Sequence, residues 1–225
     1  MGTFKVGGQV VQYTIRENSN SKYLVLNLRK DRVLEISLPR NSGLNVRKVL
    51  EKKRPWIEKR YRELSGRKRV VGNKKILYRG HMYHLKIIRG YEQKIRIHGD
   101  KITINVKGGQ SARVVLKEWM VRKSKGYAAR KAVKFAKLLG INPDFNVETK
   151  DMKSWGRCID KKQLVFNWQL IGLPERLAEY VVAHELVHLA EGSHSKKFER
   201  KLAAICPGYK EHRDELKSYL ICSRE

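Results

Sequence analysis

The chain has 225 residues, 41% of them hydrophobic, which is enough to bury a core without covalent staples. Its three cysteines, Cys158, Cys206 and Cys222, are odd in number and widely spaced, which excludes a disulfide framework and a four-thiolate metal site and points to a reducing compartment. The formal net charge of +28 excludes a charge-balanced surface and makes polyanions the natural partners.

Short β-prone runs come first: Val10 to Ile15, Tyr23 to Leu28, Val33 to Leu38, Lys75 to Tyr78, Tyr83 to Ile88, Lys94 to Ile97 and Ile102 to Val106. Gly99-Asp100 and Arg79-Gly80 are hairpin signals between them. A helical stretch, Val46 to Leu64, interrupts these runs, and Pro55 is expected to kink or split it. The first hundred residues therefore predict a twisted antiparallel sheet with a helical insert. Gly108-Gly109 marks the expected boundary between a basic part, 1–109, and a second part, 110–225.

Ser111 can cap a long helix that Gly140 and Pro143 end near Leu139. Its face marked by Leu116, Trp119, Met120, Tyr127, Phe135 and Leu138 is expected to be buried, with a solvated basic stripe opposite, from Arg113 to Lys137. A strand-like run, Leu164 to Leu170, leads to Pro174 and Glu175, which suit the first turn of a helix stopping near Gly192. No internal repeat is evident. The fold class predicted is α+β.

His184-Glu185-Leu186-Val187-His188 lies on that last helix. Residues four apart share a helix face, so both imidazoles can reach one Zn²⁺. Glu185, beside the first ligand, can take a proton from water on the metal without binding the metal itself. A catalytic zinc site needs a third protein ligand and an open position. His194 is the favoured third, and the chain must turn back near Gly192 to deliver it, since a straight helix would place it about 15 Å along the axis. Glu191, Glu199 and Glu211 are rivals for that role.

These residues resemble the YgjP-like metallopeptidase family, through Asp151-Met152-Lys153-Ser154-Trp155-Gly156-Arg157-Cys158, Phe166-Asn167-Trp168-Gln169-Leu170, Tyr180 to His188, Ser193-His194-Ser195 and Phe198. SprT-like and WLM zincins are more distant relatives. The family usually has Arg-Trp-Gly-Ser-Cys where this chain has Ser154 to Cys158, and asparagine where it has Ser193. The resemblance implies a zincin-like catalytic part, with the motif helix beside the strand around Asn167 and zinc on His184, His188 and His194. Trp155, Asn167 and Trp168 are expected to pack and support rather than react.

The expected function is zinc-dependent hydrolysis of peptide bonds in a protein or peptide substrate, with Glu185 as general base and the run Leu164 to Leu170 pairing with an extended substrate. Tyr180, Arg157, His212 and Arg213 are unranked candidates for the oxyanion partner. A metal-dependent nucleoside triphosphate pyrophosphatase is the alternative. It would use the cations directly, although no glycine-rich phosphate loop supports it. A nucleic-acid-binding module with structural zinc is the third reading, disfavoured because no cysteine pair flanks the histidines.

Residues 1–150 hold 37 Lys/Arg and 11 Asp/Glu, a net of +26, whereas residues 151–225 hold 13 and 11, a net of +2. DNA or RNA is therefore an expected partner of the basic residues, chiefly the 113–137 stripe and Lys52 to Arg69, with Trp56 and Tyr61 available for stacking. There is no signal-like run in Met1 to Val10 and no apolar segment of membrane-spanning length. A soluble, cytoplasmic protein is expected.

Overall fold

Successive side chains of a strand point to opposite faces, so Leu34-Glu35-Ile36-Ser37-Leu38 should bury one face and wet the other. The computed structural model describes residues 2–222 except 7, 20, 30, 31, 41 and 73. In it Leu34, Ile36 and Leu38 are buried. The described chain is α+β and divides into two units, one up to Lys68 and the other from Arg69 to Ile221. Gly108-Gly109 is a turn inside the second unit. No helix among the described residues is long and apolar enough to cross a membrane.

The first unit contains β1 (Gly2–Val6), β2 (Gln9–Asn18), β3 (Val25–Leu28), β4 (Leu34–Pro39), α1 (Val46–Lys52) and α2 (Arg54–Ser65). The sheet order is β1-β2-β4-β3. Asn45 caps α1 by accepting from the Lys48 amide at 3.1 Å. Pro55 splits the helical stretch as expected. It sits in the first turn of α2, where its missing N–H removes no helical hydrogen bond. Leu50, Ile57 and Leu64 from the two helices are buried.

The boundary falls within β5 (Lys68–Arg69), the partner of β13 (Tyr219–Leu220). Next come β6 (Lys75–Tyr78), β7 (His81–Gly90), β8 (Lys94–His98) and β9 (Lys101–Lys107), in sheet order β6-β7-β9-β8. The 28-residue α3 (Ala112–Leu139) follows. The remaining strands are β10 (Asn146–Lys150), β11 (Gly156–Ile159) and β12 (Gln163–Asn167), ordered β10-β12-β11. A 3-10 turn (Trp168–Gly172) leads to α4 (Glu175–Ala190), α5 (Lys196–Ile205) and α6 (Tyr209–Leu216).

Several expectations are corrected. The early strands form two mixed sheets rather than one antiparallel sheet, because β2 pairs with β4, and β7 with β9, in parallel. In each case the second strand of a hairpin, not the first, docks on the preceding strand, a choice that residue alternation does not encode. The two sheets thus share one topology, and each leads into a helix with a common opening, Arg47-Lys48-Val49-Leu50 and Arg113-Val114-Val115-Leu116. This is a repeat that sequence reading missed. β1, β10 and β11 were also missed, and the run Leu164 to Leu170 is a strand only to Asn167.

Helix α3 spans about 42 Å at 1.5 Å per residue, and its buried residues share one core with Ile102, Ile104 and Val106 of β9 and Leu164 and Phe166 of β12. Leu138, expected in that core, is 64% exposed. Two of the expected stripe lysines are likewise not merely solvated. Lys117 pairs with Asp151, which also accepts from Trp168 Nε1, and Lys131 pairs with Glu175 (3.0 Å) and Glu179. These contacts tie α3 to the loop before β11 and to α4.

Gly172 is where this packing leaves no room. A Cβ there would lie 2.2 Å from Val70 Cγ1 and 2.9 Å from the Leu77 carbonyl oxygen. Gly172→Ala should therefore lower unfolding stability by about 1–3 kcal/mol, the usual cost of overpacking. Denaturant unfolding would check this, and unchanged stability would mean that the strand and the 3-10 turn separate freely.

Candidate metal centre

Helix α4 places His184 and His188 one turn apart, on a helix whose buried face includes Leu177, Val181, Ala183, Leu186 and Val187. The helix ends where Glu191 becomes extended, at φ −123° and ψ 110°. The chain then bends through Gly192-Ser193 and starts α5 at Ser195, whose hydroxyl accepts from the Phe198 amide at 3.3 Å. This cap turns the chain back. It brings His194 beside the other two histidines, with ring centroids 5.0 Å from His184 and 4.8 Å from His188.

Phe198, on the first turn of α5, forms the floor of the cluster. Its ring centroid lies 5.0, 4.6 and 4.8 Å from those of His184, His188 and His194. One donor atom from each histidine can be chosen so that all lie within 4.8 Å of one another. His184 Nε2 and His194 Nε2 are 3.1 Å apart. A tetrahedral ion with N ligands at about 2.0–2.1 Å separates two donors by about 3.3 Å, so the spacing suits a metal.

The surroundings fit the same use. His188 Nδ1 lies 3.1 Å from the Glu191 carbonyl, an acceptor that orients the ring and leaves Nε2 for a ligand. Burial, with the neighbouring imidazoles and Arg213, pushes His184 down to about 4, and burial lowers His188 too, so both are neutral near pH 7 as ligation requires. His184 Nδ1 is buried without a hydrogen-bond partner among the described residues. Among those residues the group contains no carboxylate or thiol. Glu191 instead pairs with Lys201 at 2.8 Å, and Glu199 and Glu211 are exposed outside the group. Three donors leave a coordination position open.

Glu185 points toward β11. Its carboxylate accepts the Cys158 backbone N–H, and burial pushes it up to about 7 against that bond and the Arg157 charge. A Cβ on Gly156 would sit 2.6 Å from Glu185 Cγ, so the bare backbone of Gly156 is what admits the side chain. That requirement escaped sequence reading, although the Trp155-Gly156 pair was noted.

Asn167 holds β11 and its preceding loop in place. It is 1% exposed, donates to the Met152 carbonyl at 2.6 Å, accepts from the Gln169 amide at 2.9 Å, and its own amide reaches the Trp155 carbonyl at 2.9 Å. Each buried polar group is thereby satisfied. Of the four residues considered for oxyanion stabilisation, Tyr180 has its ring 5.8 Å from that of His184, and burial pushes its hydroxyl up to about 12, so it stays a proton donor. Arg213 acts electrostatically on both Tyr180 and His184. Arg157 acts on Glu185, and His212 Nδ1 faces Cys206 Sγ at 3.6 Å.

A family model described as YgjP-like, metallopeptidase domain, matches residues 22–219. Among solved structures, the crystal structure of the metallopeptidase zymogen of Pyrococcus abyssi abylysin is similar at 24% identity and a TM-score of 0.37, covering 40% of this chain and 90% of that one. No curated protein matches.

Gly156→Ala isolates the contact between β11 and Glu185. The added methyl group should force Glu185 aside and break its bond from Cys158, so the Cys158 amide should exchange with solvent faster and stability should fall by about 1–3 kcal/mol. Hydrogen exchange resolved to single residues would check it. Unchanged protection at Cys158 would show that Glu185 is not held there.

Proposed function

Because the chain belongs to the YgjP-like metallopeptidase family, we propose that it is a zinc-dependent peptidase in which His184, His188 and His194 hold the ion and Glu185 moves the proton. The observation that carries this reading is the convergence of three imidazoles around one point, with no fourth protein donor in the group and a partly buried carboxylate next in sequence to the first of them. Imidazole donors in a tetrahedral arrangement suit zinc. A bound zinc ion supplies Lewis acidity, polarising a carbonyl and making water acidic enough to react near neutral pH.

The protein's own groups do the rest. Glu185, desolvated beside Gly156, is poised to accept a proton from the attacking water and to return it to the leaving amine. Of the four oxyanion candidates, Tyr180 and Arg213 are favoured, because the Tyr180 ring contacts His184 and the Arg213 charge acts on it. The substrate strand expected at Leu164 to Leu170 must be reassigned, since β12 is the central strand and both its edges are already paired. Of the two edge strands, β10 and β11, the one beside Glu185 is β11. The Asn167 amide bonds the Trp155 carbonyl, so by antiparallel alternation Gly156 and Cys158 turn their backbone groups outward. The Cys158 N–H is taken by Glu185, so an extended peptide pairing there would use the Gly156 groups and the Cys158 carbonyl.

Substitutions separate ligand from base. Glu185→Gln should keep about one zinc per chain and lower peptide hydrolysis about 10²–10⁴-fold, whereas His194→Ala should lose both zinc and activity and unfold at lower temperature. Metal analysis, hydrolysis of protein and nucleoside triphosphate substrates, and calorimetry would check this. Full activity in Glu185→Gln, or hydrolysis of triphosphates but of no protein or peptide, would overturn the reading.

A further inference from the structure

We propose that the outer face of the sheet β6-β7-β9-β8 is a platform for single-stranded nucleic acid, a site apart from the histidine cluster. The register defines that face. Ile102, Ile104 and Val106 of β9 point inward to the shared core, so the intervening residues and their cross-strand partners point outward. One outward row reads Lys75, His84, Lys101, His98 across all four strands. The next reads Lys86, Thr103, Arg96, and the third Ile88, Asn105, Lys94.

No carboxylate occupies any of these rows. Like charges on one face repel, and with strands about 4.8 Å apart, Lys86 and Arg96 flank Thr103 at about 10 Å. The acids bordering these rows sit in turns: Asp100, next to Lys101 in the β8–β9 turn, and Glu92 of the β7–β8 turn, which reaches Lys94 and Arg96 only at 3.5 and 3.6 Å, in exposed pairs of little strength. The topology does not demand such a face. In the first sheet, which has the same strand order, the row matching Lys86-Thr103-Arg96 is Thr14-Glu35-Asn27, and Glu35 there pairs with Arg29 at 3.3 Å. The acid-free face is a property of the second sheet alone.

The chemistry favours a nucleic acid strand over an anionic membrane. Cations alternate with hydrogen-bonding Thr103 and Asn105 and with imidazoles that can stack on bases, and Tyr91, 98% exposed at the β7–β8 turn, adds an aromatic ring. The only large apolar side chain in the three rows is Ile88, too little to enter a lipid layer. The surfaces expected from sequence are less well suited. Lys117 and Lys131 of α3 are engaged by carboxylates, and the Tyr61 ring is covered by Arg32, 5.9 Å from its centroid. None of the three cluster histidines belongs to this sheet, so the platform and the cluster share no residue.

The test is binding of fluorescent oligo(dT) and oligo(U) to the full chain across about 50–200 mM salt, with phosphatidylserine vesicles as the competing anion. Log affinity should fall linearly with log salt, and Lys86→Glu with Arg96→Glu should weaken binding about tenfold or more and flatten the slope by about 1.4, about 0.7 per lost phosphate contact. The milder Lys86→Gln with Arg96→Gln should give a smaller loss at unchanged melting temperature, which guards against misfolding. Arg130→Glu with Lys134→Glu, on the exposed side of α3, should stay within about twofold of wild type. Salt-independent or absent binding, sheet variants that bind like wild type, loss confined to the α3 variant, or preference for vesicles would each overturn the proposal. Since hydrolysis is not measured, such a result would leave the peptidase reading standing.

Discussion

A single helix can bring two imidazoles to one point, but not a third ten residues away. The candidate centre therefore depends on the reversal between α4 and α5. Glu191 leaves the helix in an extended conformation, its carbonyl orients His188, and Ser195 caps the returning helix so that Phe198 lies under all three rings. The floor contributed by Phe198 also removes water from the inner side of the cluster. Burial, with the neighbouring imidazoles, favours neutral His184, the form that binds a metal cation.

The second demand is a carboxylate next in sequence to the first histidine that stays outside the cluster. Glu185 meets it because β11 presents glycine and a backbone N–H instead of a side chain at the point of contact. β11 is short and lies at the sheet edge, so its position depends on neighbours: Asn167 fastens the preceding loop, and Asp151 joins that loop to both α3 and Trp168. A chain of paired polar groups thus runs from the central helix to the strand that contacts Glu185. Such groups are costly when left unpaired, which makes the arrangement specific rather than adjustable.

The two mixed sheets show how one topology can serve different ends. Both bury an alternating aliphatic face, yet only the first places a carboxylate in the middle of its outer face. Burial sets the inner residues through the hydrophobic effect, whereas the outer residues are free to differ because water accepts either charge at little cost. The excess of positive charge is therefore not uniform around equivalent elements.

Local pattern carried the parts of this protein that depend on near neighbours in the chain. The i, i+4 histidines, the proline that splits α1 from α2, the helix end at Gly140 and the alternating strands were legible because each is decided within a turn or a strand. His194 was named from the sequence as the third member, with a reversal near Gly192, but the extended Glu191 and the Ser195 cap that make the reversal were not. Tertiary structure decided what depends on distant partners: that both edges of β12 are covered, that β10 and β11 exist as strands, that Gly156 must lack a side chain, and that Lys117 and Lys131 meet carboxylates. The repeated sheet order stayed hidden for the same reason. Period-two alternation specifies which side chains face inward, but the choice of neighbouring strand is settled by contacts among segments far apart in sequence, where a generic aliphatic pattern fits several partners equally well.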